Sequence, residues 1–138
     1  KGYDVVIGSR EVKGSLRDRE PWYRHLMGRG FNFLVWIFAV RGIHDTQCGF
    51  KLFSAKATKQ LFPQLKVCNR EHTISPPFTG AFDVELLFLA HKAKYAIAEV
   101  PVKWRHVETL RVSPIKDSLR MLLEIIRIRI TNMRGLYA

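Results

Sequence analysis

The run YDVVIGSR, residues 3–10, constrains the fold more than any other stretch. Val5, Val6 and Ile7 follow one another without a charge, which is the pattern of a buried strand, and Gly8-Ser9 ends it in a polar turn. Helical and extended patterns then alternate. EVKGSLRDREPWYRHLMGRGFNFLVWIFAV begins charged and becomes apolar, with Pro21 suited to a first helical turn and Arg41-Gly42 closing it. FKLF reads as a short strand, and Ser54 as the N-cap of a helix that Pro63 stops. Residues 66–81, with Pro76-Pro77 and no period, read as a mobile loop. Asp83 starts a helix whose Leu86, Leu87, Leu89 and Ala90 face a core. AIAEVPVKW (96–104) alternates as a strand, and Pro101 assigns it to an edge. The tail 118–134 is an amphipathic helix, polar at Arg120, Glu124, Arg127, Thr131 and Arg134, and apolar at Leu119, Leu122, Leu123, Ile126 and Ile130. Strands alternating with helices make this an α/β chain without internal repeats.

Charge narrows the partners. The 138 residues carry 23 Lys and Arg against 12 Asp and Glu, a formal net charge of +11. That points to nucleic acid, anionic lipid or a phosphorylated small molecule. The basic residues are not accompanied by an aromatic RNA-binding platform or a recognition helix, so no nucleic acid partner is expected. The longest apolar run, Phe31–Val40, is about half the ~18 residues a bilayer span needs, so any membrane contact is at the surface. Two cysteines, Cys48 and Cys68, are too few for a disulfide framework and fit a reducing compartment. Cys68 and His72 lack the second pair that structural zinc requires. A chain that opens on a core strand is expected to belong to something longer.

Polar groups gather where apolar elements end. Ser9 and Arg10 leave the first strand at its carboxyl end, where open α/β sheets place ligands, and Arg17, Arg19, Arg24 and Arg29 follow. The planar fork of arginine suits phosphate, although a solvated basic face would look the same. HDTQCGFKLF, residues 44–53, sets Asp45, Thr46 and Gln47 at the mouth of a strand. Asp45 there is a base, a metal-associated carboxylate, a group that orients a hydroxyl, or the first residue of an Asx-turn. Gly49 is expected to supply a special backbone conformation or a close approach, and Cys48 to be a small packed residue. Asp83 and Glu85 fit helix capping and the helix dipole equally well. The histidines His25, His72, His91 and His106 have no evident partners.

Taken in order, YDVVIGSR, Arg24 and Asn32, DTQCGFKLF, FDVELLFLA and AEVPVKW resemble family 2 glycosyltransferases acting on polyprenyl phosphates, from Tyr3 to about Arg111. DTQCGFKLF is most similar to the members that glucosylate dolichyl phosphate; the mannosyl-transferring members vary at the Gln-Cys pair. The resemblance implies the acceptor-side, C-terminal portion of a GT-A type fold, a mixed sheet with flanking helices and an amphipathic C-terminal helix. It implies UDP-glucose as donor, dolichyl phosphate as acceptor, and work at the cytosolic face of the endoplasmic reticulum membrane. Ser9, Arg10, Arg24 and Arg111 would hold the acceptor phosphate, Arg111 standing near the place of a family lysine. Asp45 would lie beside the reacting centre, as a positioning group more than a proton acceptor, with Gln47, Gly49, Asp83 and Glu85 supporting the site. The family's nucleotide-binding half, its Asp-x-Asp motif and its membrane helix have no counterpart in these residues. A divalent metal, Mg2+ or Mn2+, is therefore expected in the complete enzyme and not in this chain, which alone should be inactive. A basic membrane-surface or nucleic-acid module without activity is the rival reading.

Overall fold

The computed structural model describes residues 2–18, 22–67, 82–105 and 114–137, with the backbone alone for Arg24 and for 114–117. Arg111, Cys68, His72, His106 and most of the 66–81 loop lie outside the described residues.

Strand β1 (Val5–Ser9) is the centre of a three-stranded mixed sheet. The short β3 (Lys51–Phe53) pairs with it antiparallel, and β4 (Ile97–Pro101) pairs with it parallel. Val5 and Ile7 are wholly buried and start the core. Helix α3 (Phe82–Lys92) buries Val84 and every residue from Leu86 to Ala90. Ser54 caps α2 (Ala55–Leu61) by accepting from the Ala57 N–H at 3.1 Å, and Pro63 turns the chain into a short 3-10 segment, Phe62–Gln64.

The strand expected over 96–104 is two strands. Pro101 has no N–H to continue a ladder. After it, the Val102 N–H donates to the Ser9 carbonyl at 3.3 Å, while the Val102 carbonyl accepts from Leu16 N–H at 3.1 Å. The chain thus changes partner, and β5 (Lys103–Arg105) pairs parallel with β2 (Leu16–Asp18). Sequence pattern missed β2, because Leu16, Arg17 and Asp18 show no apolar alternation; backbone pairing with β5 holds them, with Asp18 also facing Arg105 at 3.6 Å.

Helix α1 (Trp22–Phe38) packs against α4 (Pro114–Met133). The apolar face expected for α4 is not the one it buries. Ile125 and Ile128 enter the core, whereas Leu119, Leu123, Ile126 and Ile130 stay exposed. A helix can be apolar over a wide arc, and which stripe is covered depends on where its neighbour lies. On α1, Val35 is buried, while Phe33 and Trp36 stack at 6.4 Å and remain 60% and 45% exposed.

Candidate active site

At the exit of β1 the sheet leaves two segments face to face, residues 8–11 and the 44–50 loop. Gly8 makes this approach possible. A Cβ built there would meet Val102 Cγ1 at 2.8 Å, Cys48 Sγ at 3.0 Å and Phe50 Cβ at 3.2 Å. Cys48 is therefore a packed residue under the site. Close approach was expected at Gly49, but nothing lies within 4 Å of a Cβ there, and its φ is not in the left-handed region. The constraint belongs to Gly8.

Arg10 and Asp45 form one unit. Arg10 Nε donates to Asp45 Oδ2 at 2.7 Å and Nη2 to Oδ1 at 2.8 Å, the two-pronged geometry an arginine fork makes with a carboxylate. The Arg10 backbone N–H adds a third bond, to Oδ2 at 2.9 Å. Asp45 is fully buried while the Arg10 side chain is 21% exposed, and its guanidinium lies 5.5 Å from the centre of the Trp104 ring. Burial by itself would raise the pKa of Asp45. The Arg10 hydrogen bonds and charge, with a smaller contribution from Arg17, override that and hold it below the ordinary carboxylate value. Asp45 is thus an ionised anchor, poorly suited to take a proton.

Arg17 extends the unit. Its Nε donates to the Arg10 carbonyl at 3.2 Å, and its Nη2 pairs with Glu11. Arg10, Arg17, Asn32, Gln47 and Trp104 line a cavity of about 170 Å³. Gln47 Nε2 is buried and has no hydrogen-bond partner among the described residues. A larger cavity of about 390 Å³ shares Glu11 and Asn32 and is walled by Arg29, Phe33, Trp36 and His44. It connects the polar centre to the exposed aromatic face of α1.

The other expected site residues divide. Ser9 is buried and its Oγ accepts from Glu11 N–H at 3.3 Å, which shapes the turn after β1. Asp83 pairs with Lys51 at 3.0 Å, and Lys51 also donates to the Cys48 carbonyl, which ties α3 to the HDTQCGFKLF segment. Glu85 is fully buried and accepts from Lys66 N–H at 2.7 Å, Val67 N–H at 3.0 Å and the Tyr137 hydroxyl at 2.7 Å. These bonds join α3 to the chain after α2 and to the C-terminal segment, and they assign Glu85 to the fold. Arg24 sits on α1, its side chain outside the described residues, as is Arg111. Sequence reading missed Glu99, which had been only a polar position in an alternating strand. It accepts from His44 N–H and Asp45 N–H.

Among the described residues, no three His, Cys, Asp or Glu side chains stand together as a metal site. Nor, among them, is any helix long and apolar enough to cross a membrane.

No family model matches the chain. Curated relatives do. A dolichyl-phosphate beta-glucosyltransferase of Homo sapiens is 38% identical over 133 residues, covering 95% of this chain and 38% of its own length. The protein of the same name from Dictyostelium discoideum is 36% identical over 135 residues, 96% of this chain and 38% of that one. That from Saccharomyces cerevisiae is 36% identical over 135 residues, 96% and 37% respectively. The chain spans a little over a third of the length of these relatives.

Proposed function

We propose that this chain, which belongs with the dolichyl-phosphate β-glucosyltransferases along 95–96% of its length, forms the acceptor side of such an enzyme. The reaction is transfer of glucose from UDP-glucose to dolichyl phosphate within a GT-A type catalytic domain, at the cytosolic face of the endoplasmic reticulum membrane. A divalent cation, Mg2+ or Mn2+, belongs to the complete enzyme in this reading and would be held by residues other than those described above.

The observation that carries the reading is the Arg10–Asp45 unit at the carboxyl end of β1. Asp45 takes the Nε side of the guanidinium, which fixes the plane of the fork. A fork held in advance binds phosphate without losing further side-chain freedom. Arg17 adds a second cation, and Arg24 follows on the first turn of α1.

A phosphate monoester has a second pKa of about 6 and is mostly dianionic at neutral pH. It therefore needs orientation more than it needs a base. One phosphate oxygen bonds to the anomeric carbon of glucose as the bond from that carbon to the UDP oxygen breaks. The electron pair leaves with UDP, and configuration at the carbon inverts. Asp45, kept ionised by Arg10, has no proton to carry in this step.

The exposed apolar faces of α1 and α4 support a membrane-surface acceptor. Phe33 and Trp36 border the larger cavity, and cations such as Arg29 and Arg127 share the two helices with the exposed apolar residues, a composition that suits an interfacial surface. The test is made in a full-length enzyme carrying this segment. Labelled glucose should pass from UDP-glucose to dolichyl phosphate. A mannosylated product from GDP-mannose, with no glucosylated one, would replace this reading with the mannosyl-transferring one.

A further inference from the structure

We infer that Glu99, on the edge strand β4, is a positioning residue for the Arg10–Asp45 unit. The inference rests on the reading of that unit as the acceptor-phosphate anchor. Glu99 Oε1 accepts from His44 N–H at 3.1 Å and from Asp45 N–H at 3.1 Å, while Oε2 lies 3.0 Å from His44 N and 2.6 Å from His44 Nδ1. Two successive backbone N–H groups thus converge on one carboxylate. From the other side, Asn32 on α1 donates its Nδ2 hydrogen to the His44 carbonyl at 2.9 Å, and its Oδ1 accepts from Thr46 Oγ1 at 3.3 Å. The backbone around residue 44 is therefore gripped on both its donor and acceptor sides, one residue before the carboxylate that holds Arg10.

The sheet gives the grip a fixed frame. Glu99 stands opposite Ile7 in the parallel β1–β4 register, and Arg10 leaves the same strand three residues after Ile7. Glu99 thus lies within β4, and Arg10 directly follows the last residue of the neighbouring β1. A group held on rigid elements keeps its aim better than one on a free loop. The ring contact with His44 is the lesser part, because the His44 side chain is 66% exposed and exposed ion pairs contribute little. The backbone bonds are the part that aims Asp45.

Two variants separate this from a merely structural role. Glu99→Met keeps the bulk and removes both acceptors. Glu99→Gln keeps one carbonyl oxygen, which in the Oε1 position can still take both backbone N–H groups. In the 138-residue chain, well below the melting temperature of each variant, NMR hydrogen exchange of the Arg10 Nε–H reports the Arg10–Asp45 bond. Glu99→Met should speed that exchange at least ~10-fold, while Glu99→Gln stays within ~3-fold of the original, the size of one weakened hydrogen bond. In the full-length enzyme, Glu99→Met should lower kcat roughly 10- to 100-fold, the scale of a misplaced catalytic group. The double variant Glu99→Met/Asp45→Asn should then be little worse than Asp45→Asn alone, as residues acting through one another are non-additive. Unchanged Arg10 exchange in Glu99→Met, or additive losses in the double variant, would overturn the inference. If the unsubstituted full-length enzyme transferred no glucose, the functional reading would fall, and the exchange measurement would still decide the role of Glu99.

Discussion

Both carboxylate oxygens of Asp45 are taken by Arg10, at 2.7 and 2.8 Å from the guanidinium and 2.9 Å from the backbone N–H, across 35 residues of sequence. The arginine is thereby aimed before any ligand arrives.

Arg10→Lys tests the fork. Lysine keeps the charge but offers a point donor in place of two parallel ones. With Asp45 buried, the folded chain should lose about 1.5–3 kcal/mol, the scale of hydrogen bonds to a charged group. Denaturant unfolding measures this directly. A loss under about 0.5 kcal/mol, the range of an ordinary surface substitution, would mean that the bidentate geometry contributes nothing.

The same pair sets a pH dependence. The folded-state pKa of Asp45 lies below the ordinary value of 3.8. A lowered carboxylate pKa gives stability that is fully present above the unfolded value and is lost as pH falls through the folded one. The stability difference between the original chain and Asp45→Asn should therefore be constant from pH 7 down to about 5, and should shrink below about 4. A difference that grew on acidification would have the wrong sign.

Gly8→Ala tests the close approach beneath the site. Its new methyl would sit 2.8 Å from Val102 Cγ1 and 3.0 Å from Cys48 Sγ. Overpacking of this kind costs about 1–3 kcal/mol. Gly49→Ala, with open space around it, should be close to neutral by the same unfolding measurement.

Phe33→Gln/Trp36→Gln tests the apolar face of α1. Both rings are exposed, so the fold should change by less than about 0.5 kcal/mol. Each ring buried in a lipid interface contributes about 1.5–3 kcal/mol, so sedimentation with phosphatidylcholine vesicles should weaken at least ~10-fold. Undiminished vesicle binding would remove these residues from the membrane surface.

Local signals were the legible ones. The apolar run of β1, the Ser54 cap and the Pro63 stop each act within a few residues, and all three are where the sequence puts them. Strand β2 was invisible because its pairing with β5 depends on a partner switch at Val102, a backbone event between distant segments. On α4 the sequence marks an apolar arc but not which stripe the core covers. Arg10 and Asp45 were each recognisable as polar groups leaving apolar elements. That they bind each other, and that Glu99 aims the loop between α1 and β3, follows only from the folded arrangement of the sheet.

The central claim, that Asp45 serves by holding Arg10 for the acceptor phosphate, is tested most directly by Asp45→Asn in a full-length enzyme carrying this segment. The measurement is kcat for glucose transfer from UDP-glucose to dolichyl phosphate, taken where thermal unfolding finds the variant fully folded. Asparagine retains the shape and one acceptor oxygen but leaves the guanidinium without its counter-charge and its second bond. The account requires kcat to fall roughly 10- to 100-fold, the scale of a displaced positioning group. An unchanged kcat in the folded variant would contradict it.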